Sequence, residues 1–179
     1  HVTGRHLESA ADAIKEHHLP QPAWLISDVG TSIYERNSAR DFYPINAYQE
    51  HQDEIIAATP LQELLKQLRP IDGLRLQEPW KQGRFKLSFY ADASRLSFLV
   101  KRIQMTLCQS CAPWTIIDSV DPFNGDGLID LLPAHVSKSY ALGWWVKDAG
   151  INPDEIVFAG DSGNDLAALT GGYRAILVG

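Results

Sequence analysis

The sequence predicts an α/β fold: a parallel-sheet core interrupted by a separate α+β module. Three observations predict it. The apolar runs 156–159 and 23–26 are short, and each ends in a turn rich in Gly, Asp or Ser, the pattern of buried strands. Helical stretches with one apolar face stand next to those runs. Between them, residues 36–132 read helix, two strands, helix, two strands, an order that builds an antiparallel sheet with helices on one face. The core is therefore expected over 1–35 and 133–179, and the inserted module over 36–132.

Each element has its own signal. In 7–17, Leu7, Ala10, Ala11 and Ile14 share a helical face, and Thr3 is placed to cap the free amides at its start. Pro20 and Pro22 end that helix, and the strand 23–26 follows. A mixed, helical segment is expected over 48–58. Thr59-Pro60-Leu61-Gln62 reads as a helix start with Thr59 as N-cap and Pro60 in the first position, followed by the apolar face Leu61, Leu64, Leu65 and Leu68. Residues 84–91 alternate, with Phe85, Leu87 and Phe89 on one face and Lys86, Ser88 and Tyr90 on the other. Ser94 is expected to cap the helix that carries Leu96, Leu99, Val100, Ile103 and Leu107. Strands follow over 114–120 and 128–132. Leu142, Trp145, Val146 and Ala149 form one face of a further helix, and a buried strand closes the chain after Gly171-Gly172.

Composition narrows the function. The chain has 179 residues, is 45% hydrophobic and carries a formal charge of −6. It can build a core, and it lacks the basic surface of a nucleic-acid binder. No apolar run nears the ~20 residues of a membrane helix, and no targeting segment is visible, so a cytoplasmic protein is expected. Cys108 and Cys111 form a lone Cys-x-x-Cys after a helix, too few ligands for zinc, and sparse cysteine suits a reducing compartment.

The chemistry-bearing residues stand at strand ends and helix starts. Asp161 and Asp165 lie four residues apart in Gly160-Asp161-Ser162-Gly163-Asn164-Asp165, just after an apolar strand. Carboxyl ends of strands are where open α/β sheets bind ligands, and paired carboxylates suit a hard cation such as Mg²⁺. Thr3 precedes a helix whose N-terminus could hold phosphate. Lys138 stands near the start of a helix, where the dipole disfavours a cation by a few tenths to ~1 kcal/mol unless an anion joins it.

These stretches resemble the haloacid dehalogenase (HAD) superfamily of phosphatases. Gly-Asp-Ser-Gly-Asn-Asp resembles its fourth motif, Val2-Thr3-Gly4-Arg5 its second, and Pro133-x-x-x-Ser137-Lys138-x-x-Ala141-Leu142 its third. Ile26-Ser-Asp-Val-Gly30-Thr31-Ser32-Ile-Tyr34 looks like the Val-Gly-Thr-Glu-Ile-Tyr stretch of sucrose-phosphatase-like members, with Ser32 where Glu is usual. The run from Gln77 to Tyr90 looks like their cap. The resemblance implies a HAD-like Rossmannoid core, incomplete at its N-terminal end, with an inserted cap.

It also implies Mg²⁺-dependent hydrolysis of a sugar phosphate, sucrose 6-phosphate above all, through an aspartyl-phosphate. Thr3, Lys138, Asp161 and Asp165 would be catalytic, with Asp161 and Asp165 at the metal. Gly4, Arg5, Gly30, Thr31, Lys86, Ser88 and Asn164 would bind substrate, and Trp80 and Tyr90 could stack on a sugar. The family's Asp-x-Asp nucleophile motif is absent, so this chain by itself is expected to be inactive. That motif's strand is expected upstream of His1 by about one strand–helix unit. The alternative is a non-catalytic phosphatase-like domain fused to or associated with a sucrose-phosphate-synthase-type glycosyltransferase.

Overall fold

The computed structural model describes residues 1–38, 41–161 and 165–178. The chain divides into two compact units, His1–Gln49 with Val136–Gly179 and Glu50–His135, each with its own hydrophobic core. The first unit thus runs past residue 35, because the strand Phe42–Pro44 pairs with it and Tyr48 packs in its core.

In the first unit, α1 (Leu7–Glu16) leads to β1 (Trp24–Ser27), β2 (Ser32–Arg36) and β3 (Phe42–Pro44), an antiparallel sheet in the order β1-β2-β3. Ile26 pairs with Ile33, so both side chains share the face that enters the core with Tyr48, Ala141, Leu142 and Val146. Tyr48 comes from α2 (Asn46–Ile56), and the other three from α5 (Lys138–Asp148). Parallel pairing, the mark of the predicted core, appears twice. Val2 bridges Ile26, with Thr3 N–H donating to the Ile26 carbonyl at 2.9 Å, and β8 (Val157–Gly160) pairs with β9 (Arg174–Leu177). The α/β class stands, with an antiparallel β2–β3 extension that the alternation of so short a stretch did not announce.

A groove of about 810 Å³ lies in this unit, lined by His1, Val2 and Thr3 and by Ile156 to Ala159. Ala10, Ile14, Leu25 and Leu142 help to line it. Two corrections concern the strands of this unit. The strands at 156–159 and after Gly172 were expected to be buried. Of β8 only Phe158 is buried, Val157 is 54% exposed, and all of β9 is exposed. Two strands alone cover only one edge of each other, and a groove flanks β8.

The second unit is an antiparallel sheet in the order β4-β5-β7-β6, made of β4 (Arg75–Leu76), β5 (Leu87–Ala91), β7 (Gly127–Pro133) and β6 (Trp114–Val120). Leu64 and Leu68 of α3 (Leu61–Leu68) and Leu96, Leu99, Ile103 and Leu107 of α4 (Leu96–Ser110) pack onto Phe85, Leu87, Phe89, Ile129 and Leu131. Of the residues expected on the apolar faces of α3 and α4, Leu64, Leu68, Leu96, Leu99, Ile103 and Leu107 are buried, and Leu61, Leu65 and Val100 pack against the same core partly buried. The helix starts differ. Pro60 is the N-cap of α3, and Thr59 instead offers its carbonyl to the Trp114 indole N–H at 2.8 Å. Ahead of α4, Asp92 caps a short 3₁₀ turn by accepting from the Ser94 N–H at 2.8 Å. A carboxylate two residues earlier reaches that amide, so Ser94 is the capped residue and not the cap.

Candidate active site

Sequence-local turns bring the candidate residues of the first unit together. β1 ends at Ser27, and the chain then takes three consecutive left-handed residues: Asp28 (φ 50°), Val29 (φ 61°) and Gly30 (φ 102°). Asp and Gly tolerate this region. A β-branched residue there is a genuine outlier, and strain of this kind gathers at functional sites. The turn is held from several sides. Asp28 N–H donates to the Arg5 carbonyl at 2.9 Å, and Thr31 N–H and Oγ1 both donate to the Asp28 carbonyl. The buried Tyr48 hydroxyl donates to the Gly30 carbonyl at 2.7 Å. Burial keeps that phenol neutral, raising its pKa far above the ordinary tyrosine value, with a smaller push from Tyr140.

Gly30 is required by contact as well as by φ. A Cβ there would sit 2.3 Å from the Ser137 carbonyl oxygen. The turn is thereby pressed against the start of α5, where the Ser137 hydroxyl accepts from the Tyr140 N–H. The next residue is Lys138. Its Nζ lies 2.8 Å from Asp165 Oδ1, and the two side chains are 8% and 9% exposed. This carboxylate is the anion that offsets the cation at a helix start. A buried pair repays its desolvation only with close geometry, and neither partner can be removed cheaply. Gly160 makes room for it, since a Cβ there would lie 2.8 Å from Asp165 Cβ.

Thr3 and Gly4 border the same turn: a Cβ at Gly4 would meet Val29 Cγ2 at 3.9 Å. The Thr3 hydroxyl accepts from the Arg5 N–H at 3.2 Å. It does not cap α1, whose N-cap is His6, without a side-chain bond, because three further residues separate Thr3 from the helix. Asp161 is exposed and directly follows β8. Asn164 lies outside the described residues. Among the described residues no three His, Cys, Asp or Glu side chains gather as a metal cluster.

The structure thus joins Thr3, Gly4, Arg5, Gly30, Thr31, Lys138 and Asp165 in one contact chain. Sequence reasoning missed Asp28, whose type favours a left-handed turn, and Tyr48, which carries no local signal.

Lys86 and Ser88 belong to the second unit. Both are buried, at 7% and 1% exposure, so their face of β5 is not a solvated one. The segment after β4 folds onto it. The Ser88 hydroxyl donates to Asp130 at 2.5 Å, and Gln82 bonds the Ser88 N–H and carbonyl. Beside them Tyr90 accepts from Lys81 Nζ and donates to Glu78 at 3.0 Å. The Tyr90 bond, ahead of nearby Glu78, raises the Lys81 pKa, and backbone and Tyr90 hydrogen bonds lower that of Glu78. Arg75 and Lys81 stand over the Tyr90 ring at 5.6 and 5.1 Å, while Trp80 is 65% exposed.

Residues 1–179, the whole chain, match the family described as sucrose-6F-phosphate phosphohydrolase. The chain belongs to this family. Its relatives include a HAD-like hydrolase of Nitrosococcus oceani, 36% identical over 183 residues that cover 99% of this chain and 48% of that protein. A glucosylglycerol-phosphate synthase of Pseudomonas anguilliseptica is 26% identical over all of this chain and 22% of its own length. The chain therefore spans about half the length of the first relative and about a fifth of the second. Among solved structures, the sucrose-phosphatase of Synechocystis, determined with sucrose and phosphate, superposes with a TM-score of 0.78 at 21% identity. That match covers 98% of this chain and 66% of the other, and it agrees with a HAD-like fold. No helix among the described residues is long and apolar enough to cross a membrane.

Proposed function

We propose that this chain supplies the phosphate-binding and acidic part of a sugar-phosphate monoesterase, with a sucrose-6-phosphate-like substrate. The observation that carries the reading is the buried Lys138–Asp165 pair at the junction of the α5 start and the β8 end. Both are motif residues, and each is costly to keep buried without the other. The N-terminus of α5 adds a positive dipole end beside the Lys138 ammonium, so an anionic group is favoured there. Thr3 would donate its hydroxyl to a phosphate oxygen, and the amides of the strained turn 27–31 would orient it. Lys138 would stabilise the charge that develops on the transferring group. Asp165 would hold Lys138 in place.

Asp161, an exposed carboxylate at a strand end, offers a hard oxygen donor of the kind Mg²⁺ takes together with waters and substrate phosphate. Mg²⁺ held there would supply charge neutralisation at a phosphate oxygen. In this reading Asp161 is the direct ligand and Asp165, committed to Lys138, acts beside it. The nucleophilic carboxylate belongs on a parallel strand placed in the groove that Val2 and Val157 help to line, and in the second unit the exposed Trp80 ring, unlike the buried Lys86 and Ser88, offers a surface for a sugar. A cytoplasmic location is part of the same reading.

The similarity to a synthase supports fusion to or association with a glycosyltransferase. The alternative, a non-catalytic binding or regulatory domain, is not favoured, because a dead site has no need of the acidic motif or of Lys138.

The test is phosphate release from a panel of sugar phosphates by the gene product that contains this chain, with and without Mg²⁺. Release from sucrose 6-phosphate, lost in Asp161→Ala, is expected. Release from other sugars only would discard the sucrose assignment. A folded protein releasing phosphate from none would overturn the enzyme.

A further inference from the structure

The Cys108/Cys111 pair has no part in that chemistry, yet it stands in a distinctive turn of the second unit. α4 ends at Ser110, and Cys111 follows in the left-handed conformation (φ 50°, ψ 34°). The Cys111 N–H donates to the Cys108 carbonyl at 3.2 Å and the Ala112 N–H to the Leu107 carbonyl at 2.9 Å. This is the Schellman pattern of bonds, whose left-handed position is normally glycine. A cysteine there costs roughly 1 kcal/mol of backbone strain. It also folds its side chain back, with Cys111 Sγ 3.8 Å from the Cys108 carbonyl oxygen. A turn closed by such an i+3 to i bond holds its ends within about 7 Å. Disulfides span Cα separations of about 4.4–6.8 Å. Both thiols are exposed, beside an open cavity of about 500 Å³ lined also by Gln104, Trp114 and Thr115.

We propose that Cys108 and Cys111 are a dithiol modification site that exchanges with small-molecule disulfides and closes to an intrachain disulfide. One cysteine, as thiolate, attacks a sulfur of the small disulfide. That S–S bond breaks, and one small thiolate leaves and takes up a proton. The second cysteine thiolate then attacks the protein sulfur of the mixed disulfide and expels the other small thiolate, which is protonated in turn. Two protein S–H bonds become one S–S bond, and one small disulfide is reduced to two thiols. The closed bond ties the last turn of α4 to the segment leading into β6.

Oxidised glutathione in non-denaturing buffer is the probe, read by free-thiol titration, intact mass and non-reducing electrophoresis. The chain is expected to lose both thiols, retain no glutathione, weigh two hydrogens less and run as a monomer. Cys111→Gly, which suits the left-handed position and so preserves the turn, is expected to retain one glutathione on Cys108. Wild type that ends with glutathione on both cysteines, with an intermolecular disulfide, or with two unreacted thiols would overturn the proposal.

Discussion

At the scale of single residues, the Lys138–Asp165 pair decides most. Both side chains are over nine-tenths buried, so Lys138→Met takes the ammonium away from a buried carboxylate and should cost about 3–5 kcal/mol in urea unfolding. Adding Asp165→Leu should restore much of that loss, giving a large coupling energy in the double-mutant cycle; additive losses would refute the pairing. Gly30→Ala should be severe, at least ~2 kcal/mol, because positive φ and a 2.3 Å approach to the Ser137 carbonyl coincide. Tyr48 gives a pH dependence. Its folded-state pKa is raised by burial, so its stabilisation is complete below the unfolded value near 10. Above that pH the unfolded chain releases the proton and the folded one keeps it, so stability should fall by about 1.4 kcal/mol per pH unit. Tyr48→Phe should remove this part of the alkaline slope in urea midpoints measured from pH 9 to 11. Lys138 and Asp165 were legible from residue type and motif. Their mutual contact was half legible, in the conflict between a cation and a helix start. Tyr48 was not, because only packing brings a residue of α2 under the turn at Gly30.

At the scale of elements, periodicity was a sound guide and end signals were less so. The apolar faces of α3 and α4 are the residues read from spacing, because burial on one side is what the period encodes. The starts differ because a cap is a competition among neighbouring oxygens. Asp92 outcompetes Ser94, and Thr59 offers its carbonyl to Trp114 instead of its hydroxyl to α3. Trp114→Phe should keep the ring packing, leave the Thr59 carbonyl without its donor and cost about 1 kcal/mol. An unchanged thermal midpoint would sink that account. Cys111→Gly should stabilise the end of α4 in reducing buffer by up to about 1 kcal/mol.

At the scale of the whole molecule, the two units carry separate cores, and their edges differ. Residues 50–135 have a continuous four-stranded sheet with α3 and α4 on one face, so this segment expressed alone should give a cooperative unfolding transition and dispersed amide resonances. The first unit has the groove, which β8 helps to line, and an exposed β9. A chain that adds a parallel strand there should protect those amides of 157–160 that do not face β9 from hydrogen exchange by orders of magnitude; unchanged exchange would refute the strand.

The α/β class and the family resemblance follow from the sequence alone. Local patterns of period, turn chemistry and residue order encode them, and those need no partner. Strand exposure, the strain at Asp28 and Val29 and the closing of Lys138 onto Asp165 were decided by the tertiary structure. Each depends on which distant segment fills the space beside it, and no window of sequence carries that information.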